Sequence, residues 1–108
     1  MEMNDAISAL TALGHTTRLA AFRLLVEAGD DGRFAGEIAD TLSVPNATLS
    51  FHLKELAHAG LVRSESQGRN VRYRANYAAM NDLLAYLTHN CCVGSSGETC
   101  APTASASC

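Results

Sequence analysis

The stretch from Ser43 to Ala75 leaves this chain few folds to choose from. Ser43-Val44-Pro45-Asn46 is a tight turn, with Pro45 or Asn46 opening a helix. Across 46–59, Leu49, Leu53 and Leu56 recur at i, i+4 and i+7, so one face of that helix must be buried. Gly60 ends it as a C-cap residue. Two short alternating segments follow, 61–67 and 71–75, around Gly68-Arg69-Asn70, and this pattern predicts a β-hairpin.

A short helix at 35–42, with Ile38, Ala39 and Leu42 inward, precedes the turn. Helix, turn, helix and basic hairpin make a winged helix-turn-helix, mainly α with a β-hairpin wing. Upstream, a helix at 5–13 carries Ile7, Leu10 and Leu13 on one side, and Gly14 breaks it. A second helix runs from Thr16 or Thr17 to Ala28, with Leu19, Phe22, Leu24, Leu25 and Val26 as wide apolar faces. Gly29-Asp30-Asp31-Gly32 stops it. A last helix covers Ala78 to about His89, with Met80, Leu83, Leu84 and Leu87 as its stripe. Residues 1–90 therefore form one winged-helix domain, and 91–108, rich in Gly, Ser, Thr and Ala, form a flexible cysteine-containing tail.

The net charge of -3 argues against a polyanion partner until it is resolved along the chain. Residues 45–76 carry Lys54, Arg63, Arg69, Arg72 and Arg74 against Glu55 and Glu65, so the middle third is basic and both flanks are acidic. DNA would be attracted there. No apolar run approaches the roughly 18 residues of a membrane span. The N-terminal MEMNDAIS has neither a basic n-region nor an apolar h-region, so a cytoplasmic protein without membrane contact is expected.

With Leu49 and Leu53 inward, the opposite face of the fourth helix holds Ala47, Phe51, Lys54 and His58. Asn46, Thr48 and Ser50 flank that face, and their polar groups suit base edges or phosphates. Phe51 either meets a thymine methyl or tucks beneath the wing. His52 sits at the edge of the core stripe and counts among the candidates, although a structural role suits it better than a ligand's. Arg69, Arg72 and Arg74 of the hairpin would reach phosphates or a minor groove. Ser50 and His52 form no nucleophile–base pair, since no acid is placed to orient the base, and neither an enzyme nor a catalytic cofactor is expected.

The segments VPNATLSFHLKELAHAGLV (44–62) and RSESQGRNVRYRAN (63–76) resemble the ArsR/SmtB family of metal-responsive repressors. Ser50-x-His52-Leu53-x-x-Leu56, Ala59-Gly60-Leu61-Val62 and the Gly68-Arg69 wing ending at Tyr73 carry the likeness, as does GHTTRLAAFRLL (14–25). The resemblance spans roughly residues 5–90. It implies a homodimer joined through residues 5–13 and 78–90, with one recognition helix per subunit on double-stranded operator DNA of two-fold symmetry. The apolar stripes of those two helices suit such packing.

All four cysteines, Cys91, Cys92, Cys100 and Cys108, lie in the last eighteen residues. In a reducing compartment such clusters bind metal or sense redox state more often than they form structural disulfides. No CxxC knuckle is present, which disfavours a structural zinc site. A vicinal pair plus one thiol on a flexible spacer suits a soft ion that needs three thiolates. The family resemblance narrows this further. The helix at 36–44 has no cysteine, and the last helix offers only Asp82 and His89. NCCVGSSGETC (90–100) is instead similar to an arsenic-responsive subgroup, which implies Cys91, Cys92 and Cys100 as ligands to arsenic(III) or antimony(III) acting as inducer, with Cys108 a substitute or a spare. Alternatives are a redox-sensing repressor, a repressor answering methylarsenite, cadmium or zinc, and a soft-metal buffer.

Overall fold

The computed structural model describes residues 1–94. In chain order it holds α1 (Met3–Leu13), α2 (Thr16–Ala28), a 3₁₀ turn (Gly29–Asp31), β1 (Arg33–Phe34), α3 (Ala35–Leu42), α4 (Asn46–His58), β2 (Val62–Gln67), β3 (Asn70–Ala75) and α5 (Tyr77–Thr88). The three strands form one antiparallel sheet in the order β1-β3-β2. This is a winged helix-turn-helix.

Local chemistry sets the ends of the elements. His15 caps α2 by accepting the Thr17 N–H at Nδ1 (3.1 Å). Ser43 turns left-handed (φ 56°) to end α3, and extended Pro45 leads into α4. At the far end of α4, Gly60 (φ 80°) donates to Ala57 O and Leu61 donates to Leu56 O. Those paired bonds form a Schellman stop, which needs a residue tolerant of positive φ. Gly68 (φ 66°) leads the two-residue hairpin turn, with Gln67 opposite Asn70. Glycine at the first turn position is what a type II′ connection requires.

The core is built from Phe22 and Leu25 of α2, Ile38 of α3, Leu49, Leu53 and Leu56 of α4, Leu61, and Tyr73 of β3. The leucine stripe of α4 is therefore inward, as its spacing requires. Other faces differ from expectation. On α1 the buried residues are Ala6, Ala9 and Ala12, whereas Ile7 is 53% exposed and Leu10 45% exposed. Alanines let α1 lie close against its neighbours, and the larger side chains point away. Leu19, expected inward, is exposed, and Ala21 takes that place beside Phe22 and Leu25. Of the α5 stripe, Leu83 is buried, Met80 is half-buried, and Leu84 and Leu87 are exposed. Strand β1 was not expected, because two residues are too short to show alternation.

Candidate nucleic-acid interface and thiol pair

α4 presents one face to solvent. Asn46, Ala47, Thr48, Phe51, Lys54 and His58 are exposed along it, and Ser50 is half-buried at its edge. Phe51 is 55% exposed, so it does not tuck beneath the wing. The Arg18 guanidinium of α2 lies 5.7 Å from its ring centroid. Sequence reasoning missed Arg18, since nothing in the spacing of α2 points at a helix later in the chain.

His52 does not belong to this face. It is 7% exposed, its Nδ1 accepts Arg18 Nε–H at 3.1 Å, and its ring stacks at a tilt on His15 with centroids 4.4 Å apart. With Nδ1 engaged as acceptor, the ring proton sits on Nε2 and the imidazole is neutral. This geometry suits the structural role over the DNA-reading one: His52 ties α2 to α4 from the inside. Burial pushes its pKa below the usual 6.5, with His15 and Arg18 adding to the push and Glu55 opposing it. A depressed histidine favours the native state while it is neutral, so its contribution is complete above 6.5 and declines as pH falls through the interval down to the native pKa. The urea midpoint should therefore drop as pH is lowered beneath 6.5. His52→Gln, which keeps an acceptor but does not titrate, should flatten that dependence, and an unchanged slope in the variant would rule His52 out as its source.

The hairpin divides by the period-two rule. Ser64 faces Tyr73 and Ser66 faces Val71 on one side, and Glu65 faces Arg72 and Arg63 faces Arg74 on the other. Arg69 is exposed at the tip. Arg72 and Arg74, expected on phosphates, are engaged within the protein. Arg72 donates through Nη1 to Asp31 O (2.5 Å) and through Nε to Gln67 Oε1 (3.2 Å), and it covers the Phe34 ring at 4.1 Å. Arg74 donates through Nε to Asp30 O (2.8 Å) and pairs through Nη1 with Glu65 (2.7 Å). The Arg74 hydrogen bond holds the Glu65 carboxyl below its usual 4.5, with help from Gln67. These two arginines fasten the wing to the Gly29–Asp31 turn.

The thiol pair follows α5 directly. Cys91 is free and exposed, and its Sγ lies 3.3 Å from that of Cys92. Cys92 is half-buried in a left-handed backbone (φ 65°). Cys100 and Cys108 lie outside the described residues. Asp82 and His89 share a hollow with Met1 and Tyr86, and among the described residues no three His, Cys, Asp or Glu side chains cluster as a metal site would require. No helix of the described residues is long and apolar enough to cross a membrane.

A helix-turn-helix domain family matches residues 13–65. Over 81 residues the chain is 38% identical to the HTH-type transcriptional repressor SmtB of Mycobacterium tuberculosis, covering 74% of this chain and 58% of that protein. The chain thus spans little more than half the length of that relative. An ArsR-like transcriptional regulator from Rhodococcus sp. RHA1 superposes with a TM-score of 0.65 at 33% identity, covering 78% of this chain and 76% of that one. A homodimeric winged helix-turn-helix DNA-binding domain from Mycobacterium bovis superposes with a TM-score of 0.66 at 23% identity over 81% of this chain and 85% of its own, a likeness of fold alone. The motifs around α4, the wing that follows it and these likenesses agree: the chain belongs to the ArsR/SmtB family of helix-turn-helix transcriptional regulators.

Proposed function

We infer that this chain is a cytoplasmic DNA-binding repressor, acting as a homodimer on a two-fold operator and released from it by trivalent arsenic or antimony. The observation that carries the DNA reading is the division of α4. Leu49, Leu53 and Leu56 are buried, and Asn46, Ala47, Thr48, Phe51 and Lys54 stand opposite them in solvent. A rigid helix with a hydroxyl, an amide, a cation and one apolar ring on its free face suits a major groove.

The dimer reading rests on apolar residues that the monomer leaves uncovered. Met3, Ile7 and Leu10 of α1 and Leu84 and Leu87 of α5 are all between 45% and 64% exposed, and α1 packs on α5. Exposed apolar clusters of this kind mark interfaces. Ile7→Asp combined with Leu84→Asp should turn the dimer into a monomer in analytical ultracentrifugation, and it should weaken operator binding through loss of the second half-site. A double variant that still sediments as a dimer would place the interface elsewhere.

The inducer reading rests on the vicinal cysteines, whose sulfurs lie 3.3 Å apart, side by side as two donors to one soft ion must. They fit as part of a thiolate set, with Cys100 or Cys108 as the third donor. Two adjacent sulfurs 3.3 Å apart also suit a second reading, a redox-sensing repressor. An anisotropy titration of operator-bound protein with arsenite, antimonite, methylarsenite, zinc, cadmium and peroxide separates the two. Release by arsenite under reducing conditions supports the first, release by peroxide alone supports the second, and release by none refutes inducible repression.

A further inference from the structure

Two of the three wing arginines expected on the DNA backbone, Arg72 and Arg74, have their guanidinium groups engaged within the protein. Arg72 and Arg74 lie on the hairpin face turned to the Gly29–Asp31 turn, and their guanidinium groups are hydrogen-bonded to Asp30 O, Asp31 O, Gln67 and Glu65. The opposite hairpin face looks towards α4 across a groove of about 590 Å³. Val71, Tyr73 and Ala57 line its floor, Ser64 and Ser66 stand along the wing side, and Lys54 and His58 stand along the helix side. Ser64, Ser66 and Lys54 are exposed, and among the described residues none of their side chains has a hydrogen-bond or ion-pair partner. A groove with one cation and two free hydroxyls, and no carboxylate on either wall, is built for an anionic strand rather than an apolar ligand.

We propose that the sugar–phosphate backbone of one DNA strand lies in this groove, with Lys54 supplying the charge and the Ser64 and Ser66 hydroxyls donating to phosphate oxygens. The placement follows from the two elements that flank the groove. α4 enters a major groove by its exposed face, and the bounding phosphate strand must then pass between α4 and the wing. Arg69, exposed at the tip, is left to reach beyond that strand. The division of labour is thereby reversed from the one that charge alone suggests. The serines, uncharged and unremarkable in sequence, touch DNA, and two of the three wing arginines position the hairpin. This inference rests on the DNA-binding reading but on neither the inducer nor the operator sequence.

The test uses the full chain, reduced, with two fluorescein-labelled duplexes: one from the region upstream of its own coding sequence and one of mixed sequence. Phosphate contacts carry no sequence information, so each effect should appear on both. Lys54→Met should lower the slope of log K against log salt by about 1. The double variant Ser64→Ala, Ser66→Ala should weaken binding roughly tenfold with the slope unchanged, as loss of hydrogen bonds to a charged group predicts. Ser64→Thr, Ser66→Thr keeps both hydroxyls on residues that favour strands, and it should bind as wild type. Its recovery separates a lost contact from a disturbed wing. Alanine variants that bind within roughly twofold of wild type, or a Lys54→Met slope equal to wild type, would overturn the proposal. Wild-type protein that binds neither duplex would instead refute the DNA-binding reading itself.

Discussion

Replacing Cys91 and Cys92 together by serine is expected to abolish release from the operator by arsenite while leaving operator affinity in its absence unchanged. The two halves of this expectation have separate grounds. The thiols follow α5, whereas Asn46, Thr48, Phe51, Lys54 and Arg69 belong to α4 and the wing tip, so serine removes no DNA contact. The loss of response follows from ligand chemistry, because serine hydroxyls stay protonated at neutral pH and are poor donors to a soft ion. Coupling energies between effector and ligand are typically about 1–3 kcal/mol, which corresponds to roughly 5–150-fold in operator affinity. All of that factor should vanish. Anisotropy titrations of reduced wild type and variant, with and without arsenite, measure it. Linkage adds a reciprocal check, since operator DNA must weaken arsenite binding to wild type by the same factor. Cys100→Ser should lose the response to inorganic arsenite, which takes three thiolates, and keep that to methylarsenite, which takes two. A Cys91→Ser, Cys92→Ser protein still released by arsenite would end the thiolate reading.

Much of the fold could be read along the chain where one physical requirement acts alone. Leu49, Leu53 and Leu56 have a single way to leave water, and α4 obeys it. Gly60 and Gly68 sit where only positive φ closes the stop and the turn, so the residue type alone marks both positions in the sequence. The misreadings arise where two requirements compete. On α1 the strongest apolar residues, Ile7 and Leu10, face outward and alanines fill the core, because close helix packing asks for small side chains and a second surface asks for large ones. Hydrophobicity cannot tell these two uses apart. His52 is polar yet buried, since Arg18 and His15 satisfy it from α2, and that partnership across the fold leaves no trace in local spacing. Arg72 and Arg74 declare a charge but not its partner. The carbonyls that bind them belong to Asp30 and Asp31, more than forty residues away in sequence. Charge patterning located the basic third of the chain correctly, and assigning each cation within it required the fold.

Those same two carbonyls make the residue that follows them decisive for stability. Gly32 adopts φ 61° and ψ -159°, a region open in practice to glycine alone. A Cβ there would overlap the Tyr73 carbonyl oxygen and come within 2.8 Å of Arg74 Cγ. Arg74 could swing its side chain aside, but the Tyr73 carbonyl is backbone of the central strand, where Arg33 pairs with Tyr73. Relief therefore demands that β1 part from β3. Backbone strain of about 1–3 kcal/mol and overpacking of about 1–3 kcal/mol act together, so Gly32→Ala should cost about 3 kcal/mol or more. For a domain of this size that lowers Tm by more than about 10 °C. The effect should reach the wing as well, because the Gly29–Asp31 turn anchors Arg72 and Arg74; hydrogen exchange in β2 and β3 should rise at temperatures where the variant is still folded. Gly36→Ala is the matched control. Gly36 lies in α3 with no atom within 4 Å of an added Cβ, so alanine there should hold or raise Tm through its higher helix propensity. Equal melting temperatures for the two variants would show that the contact between Gly32 and β3 does not seat the wing.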